Sequence, residues 1–301
     1  MIDVVATVDA LRARLAPARA RGRHIGLVPT MGALHDGHLR LIREASATCD
    51  EVVVSIFVNP TQFDDPADLA AYPAALDADA DLAAGAGASV VFAPAIAEMY
   101  PAGYATTVHV TGVSERWEGA ARGSRHFDGV ATVVAKLLGI VQPDAAWFGQ
   151  KDAQQVAVVR RIIADLNLPV ALGVVATVRE PDGLAMSSRN ARLAPADRAR
   201  AALLWRTLAD ARSAAAAGER DAGVLMAAAA RTLAEGGVTA DYWAVVDPVT
   251  FEPLERVVPG ALAIVAASVG EVRLIDNAPV VDAAPVSGQN SADSPPSTSS
   301  V

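Results

Sequence analysis

Two histidines three residues apart, His35 and His38, flank Asp36-Gly37 at the point where an apolar-periodic stretch begins. At a helix N-terminus, residues at that spacing share a face. The free N–H groups and the positive end of the dipole there suit a phosphate. Two imidazoles so placed can donate to phosphate oxygens, and one can carry a proton. Gly32 and Gly37 let the backbone come close to a ligand. The same residues also read as a capping turn with two solvated rings, or as a metal pair, although nothing nearby completes a coordination set. A second group, Met186-Ser187-Ser188-Arg189-Asn190, offers two hydroxyls and a guanidinium, donors suited to a triphosphate. Either serine could instead simply start the next helix. Gly183 gives this loop a hinge. A third group is Gly149-Gln150-Lys151-Asp152. Lys151 is a mobile cation, and Asp152 can accept from a ribose hydroxyl or cap the helix that follows. Gln62 and Gln155 are amides able to orient a polar substrate through paired donors and acceptors, or plain surface glutamines. Tyr72 and Phe63 read as packing residues, and His24 and His109 as structural.

The elements that must carry these groups follow from periodicity. Helices are predicted over 7–21, 36–48, 77–86, 129–141 and 152–165, and strands over 24–28, 51–58, 89–93, 145–148 and 170–178. Pro29-Thr30, Asn59-Pro60 and Pro94 stop three of the strands. Strands alternating with helices of this length imply βαβ units and a doubly wound, Rossmann-like parallel sheet covered on both faces. Ligands in such a sheet bind at the carboxyl ends of the strands. The groups at 29–38, 59–63, 149–155 and 179–190 all follow strands, so they are expected to converge on one crevice. After about residue 185 the pattern changes. Helices over 191–217 and 221–235 and strands over 240–247, 261–267 and 271–276 suggest a smaller α+β domain. The chain is thus expected to divide into residues 1–185, 186–283 and a disordered tail over 284–301, where Ser, Pro, Asp and Asn leave little to bury.

The 301 residues, 52% hydrophobic and 20% charged, are enough for a sizeable core. A net charge of −9 with no clustered Lys or Arg argues against long nucleic acid as a partner. Cys49 is the single cysteine, which excludes a disulfide framework. No apolar run approaches the roughly 20 residues needed to span a bilayer, and no basic-then-apolar leader opens the chain, so the expected location is cytoplasmic and no membrane partner is expected. There is no Gly-x-x-x-x-Gly-Lys-Ser/Thr phosphate loop and no Gly-x-Ser-x-Gly elbow.

Taken together, VPTMGALHDGH at 28–38, SIFVNPTQF at 55–63, FGQKDAQQ at 148–155 and TVREPDGLAMSSRN at 177–190 resemble the pantothenate synthetases, the pantoate–β-alanine ligases, over roughly residues 20–280. His-x-Gly-His and the Met-Ser-Ser-Arg loop are similar to the two signatures of the wider nucleotidyltransferase and class I aminoacyl-tRNA-synthetase superfamily. The resemblance implies that pantoate attacks the α-phosphate of ATP to give pantoyl adenylate and pyrophosphate, and that β-alanine then displaces AMP to give pantothenate. It implies Mg²⁺ with the nucleotide, and a homodimer. It assigns His38 as the acid. It places the nucleotide on Met31, Gly32, Ala33, Leu34, His35, Asp36, Gly37 and His38, on Gly149, Gln150, Lys151 and Asp152, and on Val178, Met186, Ser187, Ser188 and Arg189. Gln62 would touch pantoate and β-alanine, and Gln155 pantoate. Residues 1–185 would then bind ATP and pantoate, and 186–283 would form a lid.

Departures from the family pattern are few. Gln150 stands where Glu is common, Ala74-Ala75 where Arg-Thr is usual, and Ala153 where Tyr is frequent. The carboxylates near Mg²⁺ are thereby left open, with Asp79 the best candidate. Two other readings share the His-x-Gly-His turn: a nucleotidyltransferase that moves AMP onto a phosphorylated precursor, and a non-catalytic nucleotide sensor. The first leaves Gln62 and Gln155 without a task, and the second needs no intact His38.

Overall fold

The structure, a computed structural model, describes residues 2–63, 69–70, 72–73 and 75–282. The expected tail over 284–301 and the departure at Ala74 lie outside the described residues. Six strands form one sheet: β1 (Asp3–Val5), β2 (Ile25–Thr30), β3 (Glu51–Ile56), β4 (Val90–Phe92), β5 (Ala145–Gly149) and β6 (Ala171–Val175). They lie in the order β1-β4-β3-β2-β5-β6, and every pairing is parallel. A second sheet is antiparallel, in the order β7-β8-β9, from Ala240–Val246, Leu262–Val269 and Val272–Pro279.

Strand side chains alternate between faces, and the apolar residues sort accordingly. Leu27, Val53, Val90, Phe92 and Phe148 pack with α1 (Val8–Ala20), α6 (Ser124–Val141) and α7 (Ala153–Asp165). Val28, Val52, Val54, Val91 and Trp147 pack on the other face with α2 (Asp36–Ser46) and α3 (Leu76–Ala86). Two short helices, α4 (Ile96–Met99) and α5 (Glu118–Arg122), lie between β4 and α6. In the second sheet, Trp243, Val245, Val265 and Leu274 pack on α8 (Pro195–Ala216) and α9 (Ala222–Glu235). From its opposite face, Ala244, Val246, Leu262 and Ile264 join the core of the first sheet. Among the described residues no helix is long and apolar enough to cross a membrane.

Several boundaries differ from expectation, for local reasons. β2 runs on through Pro29 and Thr30, which pair with Ser55 and Ile56 of β3. The strand tolerates Pro29 because β5 pairs with β2 only at Gly26 and Leu27, leaving that side of Pro29 without a ladder bond to lose. β6 ends at Val175, so Ala176–Val178 leave the sheet and enter the cleft described below. β9 continues to Pro279 and takes Asn277 into the strand. β1 escapes the periodicity because it is only three residues long, and α5 because its sequence reads as a Gly- and Ala-rich loop.

Gly26 sits where β2 meets β5, and a Cβ there would lie 2.9 Å from Trp147 Cζ3 and 3.3 Å from Cys49 Sγ. Gly26→Ala is expected to destabilise the fold by about 1–3 kcal/mol through overpacking. Urea denaturation measures this, and an unchanged midpoint would show that Trp147 has room to move.

Candidate active site

The loop after β2 is held from below. Thr30 Oγ1 donates to Ser55 O (2.7 Å) and accepts from Gly32 N (3.2 Å). Gly32 and Ala33 then adopt left-handed conformations with φ of 86° and 51°. A Cβ on Gly32 would come within 3.0 Å of Asp79 Oδ2, so the tight turn needs glycine. Ala33 has no such freedom, and its conformation costs about 1 kcal/mol. Asp79 on α3, 3% exposed, offsets this cost by accepting from Ala33 N through Oδ2 and from Leu34 N through Oδ1, both at 2.8 Å. In the structure Asp79, the candidate metal contact from sequence, braces this turn. Among the described residues, no three His, Cys, Asp or Glu side chains are grouped to hold a metal ion.

His35 is the N-cap of α2. Its Nδ1 accepts from Gly37 N (3.2 Å), and His38 Nδ1 accepts from His35 N (3.3 Å). Both Nδ1 atoms act as acceptors, so in the neutral rings the hydrogens sit on Nε2. The ring centroids are 4.1 Å apart. Burial first, and then the neighbouring His35, push the pKa of His38 down to about 3. Burial and Lys151 lower that of His35. Both rings line the cleft as neutral Nε2–H donors at physiological pH. His38 can become an imidazolium there only when an anion compensates its charge.

Gln62, on the opposite wall, is aimed by a residue that the sequence does not single out. Asn59 is fully buried, and its Nδ2 donates to Gln62 Oε1 (2.8 Å) and to Gly129 O (3.1 Å). Its Oδ1 accepts from Thr61 Oγ1 and from the Tyr100 hydroxyl, each at 2.9 Å. With its oxygen engaged, Gln62 can turn its NH₂ group to a ligand. Gln155 lines the same space and makes no hydrogen bond among the described residues. Its neighbour Gln154 is instead structural: its Oε1 accepts from Glu118 N, and its Nε2 donates to Val113 O and Arg116 O.

The other two loops face the histidines. Lys151 Nζ lies 3.5 Å from Asp152 Oδ1. Ser187 Oγ accepts from Arg189 N at the start of a short 3₁₀ turn, and Met186 N donates to Val178 O (2.9 Å). The four strand-end groups do converge. Met31, His35, Gly37, His38, Gln62, Gly149, Lys151, Asp152, Gln155, Val178 and Met186 to Arg189 line one cleft of about 270 Å³. It opens where the strand order reverses, between β2 and β5. Gly32, Ala33, Leu34, Asp36, Gln150 and Asp79 shape its walls without lining it. Tyr72, expected only to pack, also faces the cleft while its ring meets Phe63 edge-on.

A charged cluster at one end is not apparent from the sequence. Glu118, 5% exposed, accepts from Arg122 Nε (2.8 Å), from Arg273 Nη1 and Nη2 (2.9 and 2.8 Å) and from the Tyr242 hydroxyl (2.9 Å). Burial alone would raise its pKa, but the hydrogen bonds and charges of Arg273 and Arg122 prevail and lower it to about 2. The Glu118–Arg122 spacing of one helical turn is a visible signal. Arg273, 155 residues away, leaves none.

A parallel α/β sheet with imidazole, lysine, serine and arginine donors at its switch point defines an enzyme that handles phosphorylated nucleotides. The comparisons with known proteins then narrow the class. The family model for pantoate-beta-alanine ligase matches residues 3–279. The pantothenate synthetase of Cereibacter sphaeroides (strain ATCC 17029 / ATH 2.4.9) is 52% identical over 280 residues, covering 93% of this chain and 100% of the relative. That of Moorella thermoacetica is 50% identical, covering 92% and 98%. The crystal structure of pantothenate synthetase from Thermus thermophilus superposes with a TM-score of 0.85 at 46% identity, covering 93% and 100%. The pantoate-beta-alanine ligase from Francisella tularensis, solved in complex with beta-gamma ATP and beta-alanine, gives 0.77 at 31% identity, covering 93% and 98%. This chain belongs to the pantoate–β-alanine ligase family.

Two outcomes are expected from the electrostatics. In the ligand-free protein, nitrogen NMR should find His38 neutral, with hydrogen on Nε2, down to about pH 5, and His35 charging only below the ordinary histidine range. A His38 that titrates near 6.5, the ordinary value, would contradict the capping geometry. Glu118 has a folded pKa of about 2 against an ordinary 4.5. Its contribution to stability is therefore complete above pH 4.5 and is lost as pH falls through 2. Glu118→Gln should cost about 3 kcal/mol at neutral pH, by removing the buried carboxylate that compensates the half-buried Arg122 and Arg273. In urea titrations that gap should shrink as the pH is lowered; a gap constant with pH would mean that the charge of Glu118 carries no stability.

Proposed function

We propose that this cleft joins pantoate to β-alanine through a pantoyl adenylate. A pantoate carboxylate oxygen attacks the α-phosphorus of ATP, the bond to the bridging oxygen breaks, and pyrophosphate leaves. The β-alanine amine then attacks the acyl carbon, and AMP departs with the bonding electrons. One observation carries this reading: phosphate donors (His35, His38, Lys151, Ser187, Ser188 and Arg189) and two glutamines line a single cleft. Aligning a carboxylate with a phosphate while neutralising charge is what acyl-phosphate formation needs most.

The roles are those the family resemblance implies, and the geometry supports them. Met31 to His38, Gly149 to Asp152, Val178 and Met186 to Arg189 form the ATP site, with Gly32, Ala33, Leu34, Asp36 and Gln150 shaping the turns and the others lining the cleft. His35 and His38 offer Nε2–H to phosphate oxygens, and His38 becomes an acid once phosphate charge raises its pKa. Gln62 and Gln155 hold pantoate, and Gln62 also meets β-alanine. The described residues offer no protein-only cage for Mg²⁺, and both oxygens of Asp79 accept backbone hydrogens. The donor set therefore suits an ion held mainly by the triphosphate and water; when bound, it would neutralise phosphate charge. The domain boundary near residue 185 is supported by the change from the parallel to the antiparallel sheet. The homodimer rests on the family resemblance.

The test is AMP release from ATP and pantoate, with and without β-alanine. His38→Ala should slow adenylate formation by roughly 100-fold or more. Gln62→Ala should raise the KM for pantoate with ATP binding little changed. A near-normal rate in the first variant, or equal losses in the second, would refute the assignments.

A further inference from the structure

We propose that Asp276 and Asn277, adjacent on β9, are positioning residues that set the distance between the two nucleotide loops. The proposal rests on the reading above, in which Lys151 and Ser187–Arg189 hold ATP. Neither loop belongs to the sheet that fixes it. The Gly149–Asp152 turn follows β5, the Val178–Asn190 loop follows β6, and β9 is an edge strand of the antiparallel sheet. Successive side chains on a strand leave in opposite directions, so two neighbours on one edge can serve two different loops.

Asn277 serves the first loop. Its Nδ2 donates to Gln150 O and Lys151 O, both at 2.9 Å, and its Oδ1 accepts from Gln150 Nε2 at 3.2 Å. The carbonyls of the lysine turn are thereby tied to β9, and Gln150, the departure from the family pattern, supplies part of the tie. Asp276 serves the second loop. It takes Arg179 in a two-pronged pair, 2.6 Å to Oδ2 and 3.0 Å to Oδ1. Arg179 also donates to Gly183 O (3.1 Å) and to Asn277 O (3.2 Å), and its guanidinium carbon lies 3.6 Å from the Trp205 ring centre. Gly183 closes against the same ring: a Cβ there would be 2.2 Å from Trp205 Cδ1. Arg179 is thus fixed by charge, by two carbonyls and by an aromatic face. Asp276 and Asn277 are 4% and 3% exposed, and their polar atoms are engaged by the loops and by each other, since Asn277 N donates to Asp276 Oδ1 (2.7 Å). Both border the cleft, but with their polar atoms taken they act on a ligand through Lys151 and Ser187–Arg189.

A displacement of about 1 Å between groups that align a reaction costs on the order of 100-fold in rate. The experiment measures KM for ATP and for pantoate, together with kcat, in Asn277→Asp, Asn277→Ala and Asp276→Asn, with Lys151→Ala as control. Asn277→Asp turns a carboxylate toward two carbonyl oxygens, and Asn277→Ala removes the tie without adding charge, so one reads the result if the other does not fold. We expect KM for ATP to rise about 10-fold or more, with KM for pantoate changed less than about 3-fold. Equal rises in both KM values, or kinetics like the unaltered enzyme in a folded variant, would overturn the positioning role. If Lys151→Ala itself leaves KM for ATP unchanged, it is the assignment of the nucleotide loop that fails.

Discussion

β2 and β5 share only two paired positions, Gly26 with Ala145 and Leu27 with Ala146, and then part. Pro29 lies in the diverging half of β2, where a missing N–H removes no bond to β5. That divergence makes the cleft. Every loop that lines it leaves a strand on one or other side of the gap, so the ligand meets backbone turns and helix starts, groups already arranged with free N–H donors. Lys151 and Arg189 add positive charge among these donors, while burial keeps the two imidazoles neutral.

Turns of this kind do not hold themselves. Two successive left-handed residues, Gly32 and Ala33, persist because the Asp79 carboxylate accepts from the N–H groups of Ala33 and Leu34. Gln62 has one preferred orientation because the Asn59 amide already claims its oxygen. Gln154 gathers three backbone groups near α5, and Glu118 gathers two guanidinium groups and a phenol. In each case a buried polar side chain is satisfied by the loop it supports. Removing one member would leave both sides unpaired in a low dielectric.

This division explains what can be read from the chain before folding. The alternation of strands and helices, and the strand-end placement of His35, Gln62, Lys151 and Ser187, are local patterns, and the sheet and cleft follow from them. His38 is legible as a cleft residue because its partner is three positions away. Its neutral state is not, because burial depends on the whole fold. Asp79 reads as a free acidic residue near a metal. Its oxygens are taken by a loop 45 and 46 residues earlier, a pairing that no spacing rule reveals. Asp276 and Asn277 read as the end of a strand, yet their partners, Gln150 and Arg179, come from outside their own sheet. Tertiary partners at long separation are the part the chain keeps hidden.

The hydrogen bonds that Glu118 receives from Tyr242 and Arg273 have a consequence for inheritance. The two sheets look like modules, one parallel and one antiparallel, and a recombination point near residue 185 would fall between them. Such a cut would leave Glu118 with Arg122 alone and Arg273 with Asp241 alone, each half keeping only part of the network. An exchanged second half is tolerated only if it arrives with donors matched to that carboxylate. The two sheets therefore share one buried network, and a change at 118, 242 or 273 in one of them is felt in the other.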